Sequence, residues 1–241
     1  MYWVRKENFE EYEKIKKSTV KYFIEETLNT RTDYDYAMVL YELFKDKYIC
    51  SSITNKRWYV FKNHRWEFDE GETLRLAISR DMFEEYQVLV AEYSNELQQF
   101  ETNDPSYENI QRKLRGVTAA SVDLKITSKK NNIIREAMAI FYDHAFIKNM
   151  DANKYLMCFK NGVVDFKNKT FRPGYPQDYI TKSTGIKYIP FDPISNKESA
   201  EQIMDFMEKL FPIPSLCKYM WDHLASCLIG TNKNQTFNVY H

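Results

Sequence analysis

The chain has 241 residues, and its 34 Lys and Arg side chains balance 34 Asp and Glu, so the formal net charge is zero. Hydrophobic residues make up 44% of it and aromatic residues 16%, which excludes a disordered tail, and 6 Gly with 7 Pro exclude collagen-like or linker-like sequence. A chain of this length and composition predicts one or two domains with a hydrophobic core.

The spacing of apolar side chains, the turn residues and the prolines divide the chain into predicted elements. In chain order the first half has helices over 9–27, 33–44 and 72–101, with a β-hairpin over 57–68 before the third, and further helices over 106–116 and 129–146. The second half has β-structure over 155–172, a strand near 179–189, helices over 197–211 and 214–229, and a closing strand over 235–241. Asp33 is the expected cap of the second helix. Together they predict an α+β fold that is mostly α-helical, with one or two small antiparallel β-hairpin or sheet elements.

The hairpin over 57–68 is rich in aromatic residues, and only alternate residues of a strand share a face. Trp58 and Val60 should therefore point one way, and Tyr59 and Phe61 the other. The sequence does not decide whether the hairpin aromatics belong to the core or form a surface on which bases stack.

Charge is distributed unevenly along the chain. Residues 1–104 carry 15 basic and 21 acidic side chains, residues 105–190 carry 15 and 7, and residues 191–241 carry 4 and 6. We therefore predict three parts. Residues 1–104 are helical with a β-hairpin, residues 105–190 are basic and contain both helices and β-structure, and residues 191–241 are helical and end in a strand. A net charge of +8 in the middle segment indicates a polyanion-facing side, although a lysine-rich solvated surface explains it equally well.

No active site is recognisable in the sequence. The glycines do not form a phosphate-binding loop, the four histidines lack metal-ligand spacing, and no nucleophile lies in a triad context. Asp165, Asp178 and Asp192 are the one set of carboxylates that could converge on a metal or an acid–base site, but strand-end and pre-proline carboxylates are common. We therefore expect no catalytic residue, metal site or cofactor within the 241 residues.

The cysteines and the apolar segments indicate the compartment. Cys50, Cys158, Cys217 and Cys227 form no CxxC pair and no regular framework, which predicts reduced thiols. No segment has the length of a signal peptide or of a membrane helix. We expect an intracellular chain that does not contact membranes.

Nucleic-acid binding is the strongest functional hypothesis from the residues themselves. Single strands are held by cations that follow the backbone and by aromatic faces that stack on bases. Basic and aromatic residues alternate in the hairpin and again over 160–182. The predicted contact residues are Lys125, Lys129, Lys130, Lys167, Lys169, Arg172, Arg65 and Trp66.

Two stretches resemble a known family. Residues 159–165 (FKNGVVD) and 171–180 (FRPGYPQDYI) are similar to the region that precedes the ATPase core in the superfamily 3 primase–helicases of poxviruses and giant viruses. The hairpin looks like the entry to that region, and 224–241 is similar to the helix and strand that lead into the Walker A loop.

The resemblance implies a region between a primase and a hexameric ATPase, with roles in ring assembly, in coupling the two activities and in guiding DNA. It implies that the full-length protein is an ATP-dependent DNA helicase using ATP and Mg²⁺, with single-stranded DNA, a primase domain and copies of itself as partners. Host cytoplasm or a viral replication factory is the implied location. The nucleotide-binding motifs would follow His241.

One alternative is a protein–protein interaction or oligomerisation module without nucleic-acid contact. Its basis is the long apolar stripe over 72–101 together with the C-terminal helices.

Overall fold

A computed structural model of the chain describes residues 8–101 and 104–231. The chain forms two compact units, the first comprising Met1–Phe61 and Glu67–Ala145 and the second Lys62–Trp66 and Phe146–His241. Helices predominate, and two three-stranded antiparallel sheets accompany them, which confirms the predicted α+β class. The charge-based segments do not coincide with these units.

The first unit is mainly helical. Its elements are α1 (Phe9–Thr30), α2 (Asp33–Phe44), β1 (Tyr48–Ser52), β2 (Arg57–Lys62), β3 (Arg65–Asp69), α3 (Glu72–Ala77), a π-helical turn (Ile78–Met82), α4 (Phe83–Leu97), α5 (Pro105–Asp123) and α6 (Thr127–Ile140). The tip shared by β2 and β3, Lys62–Trp66, belongs to the second unit.

Side-chain caps start the first two helices. The Asn8 side chain accepts a hydrogen bond from the Glu11 N–H, and the Thr32 side chain accepts one from the Asp35 N–H. Thr32, and not Asp33, is thus the cap of α2, because its extended backbone directs the hydroxyl at the third N–H of the helix. Asp33 becomes the first helical residue.

The predicted long helix over 72–101 is interrupted and ends early. A π-helical turn at Ile78–Met82 separates α3 from α4, and α4 ends at Leu97. The predicted helix over 106–116, in contrast, continues to Asp123. Gly116 lies inside this helix, at a position where a Cβ would come within 3.3 Å of the Leu28 Cβ. Because glycine has no Cβ, α1 can pack closely on α5 there.

Strand β1 was not predicted. It pairs with β2 from Tyr48↔Val60 to Ser52↔Arg57, and β2 is the central strand of the first sheet. The helix predicted over 129–146 ends at Ile140, because the backbone of residues 141–143 bonds to Cys50 of β1 instead. Trp58 and Val60 are buried as one set, while Tyr59 on the opposite face is half-buried.

The second unit is built around the second sheet. Its elements are α7 (Phe146–Asn149), β4 (Leu156–Phe159), β5 (Gly162–Asp165), β6 (Thr170–Arg172), a 3₁₀ turn (Pro176–Asp178), α8 (Lys197–Leu210) and α9 (Pro214–Ser226). One face of the sheet packs into a small core of Cys158, Val163 and Ile180, with Leu156 partly buried against it.

The strand predicted near 179–189 is wrong. Tyr179 has a left-handed backbone, with φ of 52°, which breaks the extended conformation at its start. Isolated backbone bonds tie the segment to β4 and to the turn after it, from the Thr184 N–H to the Cys158 carbonyl and from the Lys160 N–H to the Ile186 carbonyl. The segment therefore runs beside the sheet without forming a regular ladder.

The C-terminal helices α8 and α9 pack on each other through Met207, Cys217 and Met220, with Phe211 partly buried between them. The closing strand predicted over 235–241 lies outside the described residues. All four cysteines are free thiols. Within 8–101 and 104–231, no helix has both the length and the apolar character required to cross a membrane.

Candidate nucleic-acid interface

Three of the predicted contact residues, Lys125, Lys129 and Lys130, lie in the first unit. The ammonium groups of Lys125 and Lys129 contact other residues of that unit. The Lys125 ammonium donates to the Ser79 carbonyl and sits 3.7 Å from the centre of the Phe83 ring. The Lys129 ammonium lies 3.1 Å from a carboxylate oxygen of Asp33. These contacts tie α6 and its N-terminal turn to neighbouring helices.

Arg65 and Trp66 lie at the hairpin tip within the second unit. The Trp66 side chain is 1% exposed, its ring packs edge-on against Phe146, and its Nε1 donates to the Pro176 carbonyl at 2.8 Å. The Arg65 guanidinium donates to the Thr181 carbonyl at 3.3 Å. The indole therefore offers no open face to a base, and the hairpin tryptophans belong to the core.

Arg172 lies between two carboxylates. Its guanidinium makes a bidentate pair with Asp178, with both N–O distances at 2.8 Å, and lies 3.8 Å from Asp165. The hydrogen bonds to Asp178 raise the pKa of Arg172. The set of Asp165, Asp178 and Asp192 does not converge, because Arg172 occupies the space between the first two and Asp192 closes its own turn on Ser195.

Asp165 organises the turn between β5 and β6. It accepts hydrogen bonds from the N–H groups of Lys167 and Asn168 and from the Asn168 side chain. Burial alone would raise the pKa of Asp165, but these bonds and the Arg172 charge outweigh it and hold that pKa below its ordinary value. Among the described residues, no group of three or more His, Cys, Asp or Glu side chains could hold a metal ion.

Within the second unit, the segment 146–190 exposes its basic side chains, whereas its acidic side chains are engaged by neighbouring groups. Residues 146–190 carry eight basic and three acidic side chains. The acidic ones, Asp151, Asp165 and Asp178, all accept hydrogen bonds from neighbouring turns or from Arg172. The remaining seven basic residues are exposed lysines: Lys148, Lys154, Lys160, Lys167, Lys169, Lys182 and Lys187. This part of the chain therefore presents net positive charge to solvent.

The second sheet has an aromatic outer face. Pairing of Val164 with Phe171 and of Phe159 with Gly162 places these side-chain positions on the face opposite the core. Phe171 is 38% exposed, and its ring stacks on Tyr188 with 4.5 Å between centroids and 25° between planes. The Phe159 ring meets Tyr188 edge-on.

A concavity of about 260 Å³ lies beside these rings. Its lining includes both members of the stacked pair, together with Lys169 from the β5–β6 turn and the buried carboxylate of Asp165. Lys160 follows Phe159 in sequence, and Lys187 precedes Tyr188, so exposed cations flank the ring-bearing positions. Such a combination of cations and aromatic faces is the chemistry that single-stranded nucleic acids require.

The sequence alone did not single out Tyr188, which lies in the segment that was predicted to be a strand. Its position follows from Asn161, whose amide bonds to the Tyr188 backbone across 27 residues of chain. The alternation of Phe159, Val164 and Phe171 about the Asn161–Gly162 turn was a usable signal, because it predicts one shared aromatic face.

A family model described as D5 N terminal like matches residues 37–212. The chain belongs to this family. It is 35% identical over 244 aligned residues to a protein of Acanthamoeba polyphaga mimivirus that is named as a candidate helicase, an alignment that covers 99% of this chain and 24% of the relative.

Two further relatives extend the family to other large DNA viruses. A protein of Invertebrate iridescent virus 3, also named as a candidate helicase, is 31% identical and aligns with 51% of this chain and 13% of its own length. A candidate primase of African swine fever virus is 23% identical over 80% of this chain and 22% of its own length. The chain thus spans at most about a quarter of these relatives, and it is related to viral helicases and primases, as the sequence resemblance implied.

Proposed function

We propose that this chain is the region preceding the ATPase core of a viral replicative DNA primase–helicase, where it supports ring assembly, coupling of the two activities and guidance of DNA. The full-length protein is then an ATP-dependent superfamily 3 DNA helicase, with ATP and Mg²⁺ bound by motifs outside these 241 residues. Single-stranded DNA, the primase domain and further copies of the protein are its partners. Its place of action is the host cytoplasm or a viral replication factory.

The DNA contact rests on one observation: residues 146–190 of the second unit expose seven lysines while the three carboxylates of that segment are occupied internally. Positive charge that is not neutralised by neighbouring carboxylates attracts phosphates without reading sequence. The Lys125 and Lys129 ammonium groups already have partners within the fold, so they contribute less to this surface than the sequence predicted.

Fluorescence anisotropy with a labelled single-stranded oligonucleotide tests the contact. Affinity should fall steeply as salt rises from about 50 to about 200 mM, because each phosphate contact releases counterions. Replacing Lys167 and Lys182 by Gln should reduce the slope of log K against log salt by about 1–2. The matched control replaces the exposed Lys14 and Lys17 of α1 and should leave that slope unchanged.

Equal effects of the two pairs would show that the attraction is not a property of the second unit. An absence of salt-dependent binding by the unmodified chain would overturn the proposed DNA contact altogether.

Self-association without DNA contact is the second candidate, and the C-terminal helices favour it. Helices α8 and α9 expose many large apolar side chains: Ile203, Met204, Phe206, Leu210, Leu216, Tyr219, Trp221 and Leu224. Exposed apolar surface of this kind commonly marks a protein interface. A second copy of the chain would bury it.

Light scattering over a range of protein concentrations tests this alternative. A concentration-dependent rise in mass that Phe206→Asp and Leu210→Asp abolish would support self-association through α8. A strictly monomeric chain at all concentrations would contradict it.

A further inference from the structure

The outer face of the second sheet has the features of a base-binding surface. Phe171 and Tyr188 form a stacked pair, and Phe171 as a residue is 38% exposed to solvent. Neither residue belongs to the buried core, which lies on the opposite face of the sheet around Cys158, Val163 and Ile180. The pair is therefore not required to fill the interior of the unit.

Two neighbouring residues fix the geometry of this pair. The Asn161 amide holds the backbone of Tyr188 through two hydrogen bonds. Gly162 leaves room for the Phe171 ring, since a Cβ at that position would lie 2.6 Å from Cζ of Phe171. The Tyr188 backbone is thus held, and space for the stacked Phe171 ring exists, before any ligand arrives, which reduces the entropy that binding must overcome.

Charge complementarity identifies the occupant. Lys169 lines the concavity beside the rings, and its backbone φ of 54° belongs to a turn that Asp165 holds by hydrogen bonds. Lys160 and Lys187 are exposed and adjacent in sequence to Phe159 and Tyr188. A ligand made of flat aromatic groups with a negative charge at each repeat matches both the aromatic rings and the lysines. A protein helix with apolar side chains would match the rings but not the lysines.

From these contacts we infer that the Phe171–Tyr188 pair is a stacking platform for a base of single-stranded DNA, with Lys169 on the adjoining phosphate. The inference rests on the proposed function and names the surface at which the strand is held. Stacking does not select among bases, because every base has a π-face. Binding should therefore be tolerant of sequence.

Anisotropy with a labelled oligothymidylate separates stacking from charge. Phe171→Leu and Tyr188→Leu should each weaken binding by about 5- to 150-fold, the range found for loss of one base–aromatic stack, with the salt slope unchanged. Lys169→Gln should instead lower the salt slope by about one. The matched control is Phe68→Leu, because Phe68 is an exposed aromatic residue on a strand of the first unit. The Phe68→Leu variant should bind the oligonucleotide with the same affinity as the unmodified chain.

A base analogue gives a second readout that does not depend on affinity. With a 2-aminopurine-containing strand at saturating protein, the unmodified chain should change the fluorescence of the analogue, and Phe171→Leu should reduce that change. Circular dichroism confirms that each variant is folded.

The outcomes separate this inference from the proposed function. If the unmodified chain binds with a steep salt dependence and both leucine variants bind as tightly as it does, the stacking platform is wrong and the proposed DNA contact stands. If the unmodified chain does not bind single strands at all, both are wrong. Loss of binding in Phe68→Leu as large as in Phe171→Leu would also overturn the assignment of the site.

Discussion

The side-chain amide of Asn161 bonds to both backbone polar groups of Tyr188. Its Oδ1 accepts from the Tyr188 N–H at 2.8 Å, and its Nδ2 donates to the Tyr188 carbonyl at 2.9 Å. An amide side chain thereby replaces the strand partner that the segment over 179–189 lacks. The last residue of the β4–β5 turn also determines where the backbone that carries the aromatic ring at position 188 lies.

Removing this amide should free the Tyr188 backbone. In Asn161→Ala we expect the Tyr188 amide hydrogen to exchange faster with solvent, because it loses its acceptor. The Thr184 amide, which donates to the Cys158 carbonyl, should keep its rate and serves as the internal control. Hydrogen exchange measured residue by residue by NMR tests this, and an unchanged rate at Tyr188 would contradict the structure.

Gly162 should not tolerate even one additional carbon. In Gly162→Ala the new Cβ would lie 2.6 Å from Cζ of Phe171 and 2.8 Å from the Arg172 carbonyl oxygen, and the backbone oxygen cannot rotate away. We expect a loss of about 1–3 kcal/mol in the free energy of unfolding, measured by urea denaturation. Gly185→Ala is the control for steric crowding, since its Cβ meets no atom within 4 Å, and its smaller cost reflects only its φ of 74°.

Arg172 should prove to be a structural residue. Arg172→Gln leaves the largely buried Asp178 without its bidentate partner and should lower stability by about 2–4 kcal/mol in thermal or urea unfolding. Lys167→Gln, at an exposed position in the turn that follows β5, should change stability by less than about 0.5 kcal/mol. Comparable stability of the two variants would mean that the ion pair does not support the fold.

Stability should depend on pH through Asp165. Its pKa in the folded chain lies below the ordinary value, so the ionised carboxylate stabilises the fold above about pH 4, and this stabilisation is lost as the pH falls through the lower, folded-state pKa. Asp165→Asn should be less stable than the unmodified chain at pH 7 by about 1–3 kcal/mol. Urea denaturation from pH 7 to pH 3 should show that difference shrinking, and a constant difference would exclude this carboxylate as the cause.

In the first unit, Asp123 joins α5 to the junction between α1 and α2. This largely buried carboxylate accepts hydrogen bonds from the Arg31 guanidinium at 2.6 and 2.9 Å and from the Tyr36 hydroxyl at 2.9 Å. Asp123→Ala leaves the buried Tyr36 hydroxyl without its acceptor and should lower the free energy of unfolding by about 2–4 kcal/mol. The double variant with Tyr36→Phe should cost less than the sum of the single changes, and strict additivity would contradict the coupling.

The sequence predicted the elements whose own periodicity is strong. The hairpin, the helices of the first unit and the β4–β5–β6 meander follow from local spacing and from the Asn161–Gly162 turn, and the burial of Trp58 follows from strand alternation. These local patterns were sufficient to predict the α+β class of the fold.

The errors arose where distant residues decide local structure. Gly116 resembles a helix terminator but lies within α5, because its neighbour is Leu28 of another helix. Arg172 resembles a phosphate ligand, but two carboxylates brought together by the turns around β6 neutralise it. Trp66 resembles a stacking residue, but its environment consists of Phe146 and Pro176, eighty or more positions away in the chain. Pairings of this kind cannot be read from spacing alone.

The hairpin tip limits how this protein can be dissected. Residues 62–66 belong to the second unit although the strands that carry them begin and end in the first. A gene fragment that starts at Phe146 would therefore encode the second unit without Trp66, and its hydrophobic interior would have a hole the size of an indole. Any attempt to isolate the second unit has to supply that pentapeptide, either by keeping the two units on one chain or by adding it in trans.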